Sequence, residues 1–168
     1  MMHNATKQIL ATAILSAFAV SANAWEPGRF TGGGFLNCEY NGETFKATFG
    51  YELHCQTDGS PAPSSPNNLQ VNFLGGNHFH LTNLTTSQCF EPSTTTPTAG
   101  VSVMTGSGTG VYNGAPAAVN YTITDVSEPG RLDTIALTIT LPAGPVISCT
   151  GMLPGGNNQA HDATGSKQ

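Results

Sequence analysis

The chain has 168 residues, ten acidic against five basic side chains and a formal net charge of −5. Charged residues make up only 9% of it, against roughly 25% in an ordinary soluble domain, and no Lys/Arg cluster occurs. That excludes a basic footprint for nucleic acid and a polybasic membrane patch, and it leaves solubility to Thr, Ser, Asn and Gln.

In chain order, the first element is a secretory signal peptide over residues 1–24. Lys7 supplies the positive start, Ile9 to Val20 the apolar stretch, and Ala22-Asn23-Ala24 an A-x-A cleavage site after Ala24. The apolar stretch is too short to span a bilayer, which needs about 20 residues. A single all-β domain is expected over 25–161, followed by a flexible C-terminal tail over 162–168. No second apolar run offers membrane insertion. With a bacterial source assumed, the expectation is a secreted or periplasmic protein.

The region after the leader alternates apolar and polar residues with period two, the mark of half-buried strands. In Thr44 to Cys55, Phe45, Ala47, Phe49, Tyr51 and Leu53 share one face with Cys55. Ile135, Leu137, Ile139 and Leu141 do the same, as do Val119, Tyr121 and Ile123. Turn residues separate the runs: Asn41-Gly42, Gly75-Gly76-Asn77, Asn113-Gly114, Pro129-Gly130 and Pro142 to Pro145. Two longer Pro-rich loops cover 57–68 and 91–100. Eight strands are predicted at 31–40, 44–55, 68–74, 78–85, 100–111, 117–126, 133–141 and 146–153, with a short ninth at 157–161. An antiparallel meander forming a β-sandwich or barrel accommodates them.

The four cysteines, Cys38, Cys55, Cys89 and Cys149, are even in number in an exported chain, which favours disulfides. If consecutive strands alternate up and down, Cys38 and Cys149 lie near one end. Cys55 ends strand two, and Cys89 follows strand four, at the other end. The preferred pairing is Cys38–Cys149 with Cys55–Cys89. A Cys38–Cys55 staple fits poorly, because a tight turn at Asn41-Gly42 sets Cys38 opposite Phe45.

Several motifs then occur in order. Thr31-Gly32-Gly33-Gly34-Phe35 precedes Lys46-Ala-Thr-Phe-Gly-Tyr51. Next come Tyr121-Thr-Ile-Thr-Asp125 and Glu128-Pro-Gly-Arg-Leu-Asp133, and finally Gly155-Gly-Asn-Asn-Gln-Ala-His161. Over residues 30–161 this resembles an all-β domain of no established activity that recurs in large secreted and surface proteins of bacteria. Its pattern is GGG-x-I, KA-x-FGF, GEPG-x-x-D and GN-x-Q-x-H. The resemblance implies a fold and an export context, and no catalytic residues.

Candidate chemistry is sparse. His78 and His80, two apart on a strand, share a face and would bind zinc or copper if His161 or His54 approached. With Phe79 and Leu81 on the core face, both otherwise simply point to water. Asp125, Glu128 and Asp133 bracket a Gly-containing turn. They would hold calcium through oxygen ligands, or else Asp125 and Asp133 cap and hydrogen-bond the turn itself, which is the favoured reading. Gly106-Ser-Gly-Thr-Gly110 lacks the Lys-Ser/Thr of a phosphate loop, so close packing against another backbone explains its glycines better. No G-x-S-x-G occurs, and nothing selects a glycosidase pair among the acidic residues. Thr122, Thr124, Thr134, Thr138 and Thr140 make an outward polar ladder suited to polysaccharide or ordered water, or to plain β propensity. Trp25, the only tryptophan, would be a sugar-stacking platform or a hydrophobic clasp. The expected function is a non-catalytic binding or structural module at the cell surface or in the matrix, its partner a polysaccharide or a surface protein. The alternatives are a periplasmic metal-binding protein using His78 and His80, and an unrecognised hydrolase.

Overall fold

A computed structural model describes residues 27–55, 66–92, 101–126 and 128–162. The expected signal peptide, Trp25, most of the two long loops and residues 163–168 lie outside the described residues. Nine strands follow in order: β1 (Gly28–Tyr40), β2 (Glu43–Cys55), β3 (Asn68–Phe73), β4 (His78–Phe90), β5 (Val103–Tyr112), β6 (Ala115–Thr124), β7 (Thr134–Thr140), β8 (Val146–Met152) and β9 (Gly155–Asp162).

Every neighbouring pair is antiparallel, and the meander closes on itself. β1 pairs with β2 along its whole length, from Gly28↔Cys55 to Tyr40↔Glu43. Its other edge is shared. β8 takes the upper part at Cys38↔Cys149 and Glu39↔Ser148, and β9 takes the lower part from Phe35↔Gly155 to Gly28↔Asp162. The result is an eight-stranded barrel with one extra strand, which decides between barrel and sandwich. β8 and β9 run in the same direction along β1 and act as one strand interrupted at Leu153-Pro154.

The period-two pattern places the apolar residues inside. Phe30, Leu53, Leu69, Phe79, Met104 and Ile123 are among the fully buried side chains. The alternate residues along each strand are mainly polar and face outward, the reverse of a membrane barrel's apolar exterior. No helix among the described residues is long and apolar enough to cross a membrane. Inward-facing glycines make the interior fit. A Cβ on Gly32 or Gly106 would occupy the space of the Tyr51 or Tyr121 phenol, and one on Gly110 would meet the Phe79 ring. The expected close packing of the Gly106–Gly110 run is therefore met, against neighbouring carbonyls and against large side chains alike.

The tight turns at Asn41-Gly42 and Asn113-Gly114 have positive φ at both residues, the type I′ geometry that matches strand twist. Several boundaries differ from expectation, most of all the end of β4. β4 continues to Phe90 through two β-bulges, between Leu81 and Asn83 and between Leu84 and Thr86, so Cys89 lies within the strand instead of after it. Alternation breaks at each bulge, which is why the pattern suggested an earlier stop. β9 is a full strand that takes in Asp162, the first residue of the expected tail, because β1 starts early enough, at Gly28, to pair with it.

Both disulfides have the preferred pairing, Cys38–Cys149 and Cys55–Cys89, and all four cysteines are buried. Cys38 does stand opposite Phe45. Disulfides of this kind belong to a non-reducing, extracytoplasmic environment. Cys38–Cys149 closes 111 residues of chain, so a Cys38→Ala/Cys149→Ala protein should lose about 3–5 kcal/mol on the loop-entropy account. Urea denaturation checks this, and an unchanged midpoint would contradict it.

Candidate functional site

Two regions gather polar side chains: the lower end around the β6–β7 turn, and the outer face of β4 to β8.

At the lower end the turn carboxylates meet β9. β1 occupies only one edge of β9, so the opposite backbone N–H groups need other partners. Asp133 Oδ2 accepts from Asn158 N at 2.8 Å, and Asp125 Oδ2 accepts from Ala160 N at 2.8 Å. Asp133 Oδ1 accepts from Val126 N at 3.0 Å. Glu128 accepts from the side-chain amides of Asn157 and Gln159. The three candidate calcium ligands are thus engaged with N–H donors of the protein; the expected bond to the turn itself is made by Asp133 at Val126, whereas Asp125 and Glu128 bond β9. Gly130 has φ +68°, and a Cβ there would collide with Asn157, so glycine is needed for the turn to sit this close.

Asn158 is fully buried and fully used. Its amide nitrogen donates to the Thr124 and Thr134 carbonyls at 2.9 and 3.0 Å, and its oxygen accepts from the Tyr51 hydroxyl at 2.7 Å. Burial first, then the Asp133 and Asp125 charges, hold the Tyr51 phenol well above its usual range. Burial also raises the Asp125 pKa. The bond from Ala160 opposes that rise, and the Asp133 and Glu128 charges add to it. A raised carboxylate beside a second one is a hydrolase-like signal. Here, however, both groups are committed to backbone N–H donors.

The histidines do not converge. His78 and His80 are exposed on β4, where His78 Nδ1 lies 3.5 Å from the Gly76 carbonyl. His161 is buried on β9, its Nε2 3.0 Å from the Thr31 hydroxyl. His54 Nε2 lies 3.7 Å from Glu52. The approach of His161 or His54 that metal binding at the His78/His80 pair would require is not made; His161 lies on β9, which pairs with β1, while β4 pairs with β3 and β5. No group of three His, Cys, Asp or Glu that could hold a metal occurs among the described residues.

The outer face of β4 to β8 went unrecognised as a unit. The alternating threonines of β6 and β7 marked only part of it. Residues 59–90, 92–124 and 134–161 contain no Asp, Glu, Lys or Arg, and these spans hold β3 to β8 entire. That run of missing charges is the sequence signal that would have found the face. The strand registers assemble it into rows. One row reads Thr86, Ser107, Asn120, Thr138, Ser148 across five strands, and the next reads Gln88, Thr105, Thr122, Ala136, Thr150. At the usual strand spacing five strands span about 20 Å. The Thr86 and Ser107 hydroxyls lie 2.8 Å apart. Above these rows an open groove of about 590 Å³ is lined by Thr, Gly, Val, Pro, Ala and Leu side chains, with no titratable group. Among the described residues the Asp, Glu, Lys and Arg side chains lie on β1 and β2 (Arg29 to Glu52 at 3.3 Å), on the β6–β7 turn, at Glu91 just past β4 and at Asp162 on β9. Comparison with protein-family models, with curated proteins and with solved structures finds no match.

The lower-end network makes two predictions. Asp133→Ala and Asn158→Ala should each cost roughly 2–3 kcal/mol, the penalty for leaving buried polar partners unsatisfied. The double variant should cost clearly less than the two together, because both remove one network; additive losses in urea denaturation would refute the coupling. For Asp125, a folded pKa above the unfolded one means that the folded state holds the proton more tightly. Its contribution to stability is fullest below the ordinary carboxylate pKa of about 4 and declines as pH rises through the folded value. Asp125→Asn keeps an acceptor for Ala160 and removes the charge. Its stability relative to wild type should therefore improve between acidic and neutral pH. A pH-independent difference would be the contrary result.

Proposed function

We propose that this protein is a secreted, non-catalytic binding or structural module of the cell surface or extracellular matrix, and that the uncharged outer face of β4 to β8 is its contact surface. The observation that carries this is the segregation of charge. Among the described residues, the Asp, Glu, Lys and Arg side chains fall on β1 and β2, at the β6–β7 turn, at Glu91 just past β4 and at the end of β9. The five adjacent strands β4 to β8 carry none, their outward rows being mainly hydroxyl and amide side chains with the imidazoles of His78 and His80 at one end of β4.

Several features support it. Thr, Ser and Asn both donate and accept hydrogen bonds, and β-branched threonines are stiff at χ1, so ordering them against a partner costs little entropy. The barrel is closed by full ladders and two disulfides, a rigid support for a surface site. The leader-like residues 1–24 and the disulfides agree on an oxidising compartment. The acid–base groups that a hydrolase would need are absent from the groove and committed at the β6–β7 turn. The loops over 57–68 and 91–100 lie mainly outside the described residues, so the face carries the reading without them.

The test is sedimentation with isolated cell-envelope and matrix material. Wild type should pellet with it, and Ser148→Lys, a charge placed in the middle of the face, should stay in the supernatant with its melting temperature within a degree or so of wild type, as exposed substitutions usually allow. Equal pelleting of both proteins, or of neither, would reject the face as a contact surface.

A further inference from the structure

We infer that the groove at the top of the uncharged face is a saccharide subsite, and that its ligand is a neutral polysaccharide. The inference rests on the preceding reading of that face and names its partner.

The groove runs across four strands. Thr109 on β5, Ala118 on β6 and Thr140 on β7 stand in register as one row. The alanine between two threonines leaves a depression where the neighbouring rows carry larger side chains. Thr82 completes the row from β4. It is the residue left over at the first bulge, where Leu81 pairs with Gly110 and Asn83 with Thr109. Its hydroxyl donates to the Thr109 carbonyl at 3.1 Å, so the oxygen's lone pairs are presented as acceptors at a fixed place. Pro116, Leu141 and Pro142 line the groove too. They supply an apolar wall beside the hydroxyl row.

A pyranose has a matching character, with a C–H face on one side and hydroxyls that donate and accept around its rim. The volume, about 590 Å³, lies in the ordinary range for small-ligand sites. The groove also opens onto the row Ser107, Asn120, Thr138, Ser148, two residues further along each strand and so about 7 Å away. An extended chain seated in the groove therefore continues over hydroxyl and amide side chains. Neutrality follows from the missing charges. A uronate or sulfate buried here would lose water without gaining a cation, since β3 to β8 carry no Lys or Arg. A protein partner fits less well, because these rows contain no Trp, Tyr or Arg of the kind that anchors protein interfaces.

The experiment is affinity electrophoresis of the folded, disulfide-bonded protein in gels containing a soluble unsubstituted glucan, a galactomannan or a polygalacturonate, at low and high salt. Wild type, Ala118→Arg and Ser148→Lys are compared, with thermal melts to confirm folding. Both substitutions fall on exposed outward positions. The expected result is retardation by a neutral polymer, unaffected by salt, none by polygalacturonate, and at least a tenfold weaker affinity (about 1.4 kcal/mol) in Ala118→Arg. Retardation of Ala118→Arg equal to wild type would overturn the groove as the subsite. No retardation by either neutral polymer, with pelleting on envelope material still lost in Ser148→Lys, would overturn the glycan while the contact face stands, and would point to a protein partner. No retardation together with equal pelleting of the two proteins would overturn both. Retardation by polygalacturonate that salt abolishes would overturn neutrality.

Discussion

A strand with a neighbour on one side only leaves half of its backbone groups to be satisfied by something else, and the lower end of this barrel is organised by how β9 meets that demand. The N–H groups of Asn158 and Ala160 point away from β1 and find Asp133 and Asp125. Two carboxylates stand in for a second strand neighbour of β9. This is costly chemistry in a buried place, because an ionised group removed from water needs every bond it can make. Asp133 accepts one backbone N–H with each oxygen. Asn158 then ties the arrangement to the Thr124 and Thr134 carbonyls and to Tyr51 on β2, across Gly32 of β1. The chain between β6 and β7 cannot vary freely: its length, its glycine and its two aspartates all follow from the edge they cover.

The interior follows a second constraint, space. Eight strands enclose a volume that side chains must fill to the density of a solid. This sequence fills it unevenly, with large residues on some strands facing glycines on others. Tyr51 occupies the room above Gly32, and Tyr121 the room above Gly106. Both phenols end on buried polar partners, Asn158 and Ser87. Burial pushes the Tyr121 pKa up to about 12, with the Ser87 bond acting against it. The tyrosines therefore stay neutral and serve as amphipathic rods, apolar along their length and hydrogen-bonded at the tip.

These two constraints explain what could and could not be read from the chain. Period-two alternation in Phe45 to Cys55 and Ile135 to Leu141 is a local signal, and it gave strands, faces and the disulfide pairing, since strand direction alone sorts four cysteines between two ends. Asn41-Gly42 and Asn113-Gly114 likewise declare their turns without help from the rest of the fold. β4 was misjudged in length because a bulge breaks alternation while hydrogen bonding with β5 continues. A turn-bonding role was visible for Asp125 and Asp133, and Asp133 has it through the Val126 N–H. Their bonds to β9, some 25 to 35 residues away in sequence, were not, because only the closed barrel brings that edge beside the turn. The histidines failed as a cluster for the same reason: spacing within β4 is local, but the distance to His161 is set by closure.

The candidate contact face stands between these cases. Its rows of hydroxyls depend on register, yet its decisive property is an absence that is fully written in the sequence. Surface strands usually carry charges because a charged side chain on a solvent face costs nothing and guards against edge-to-edge association. A closed barrel has no long free edge to guard, so that reason for charge is weak here. It does not explain why β1 and β2, equally closed on both sides, keep Arg29, Glu39, Glu43, Lys46 and Glu52. The same fold tolerates charge on one side of its wall and lacks it on the other. A difference between two surfaces with the same structural requirements is more readily explained by what each surface meets than by how the chain folds.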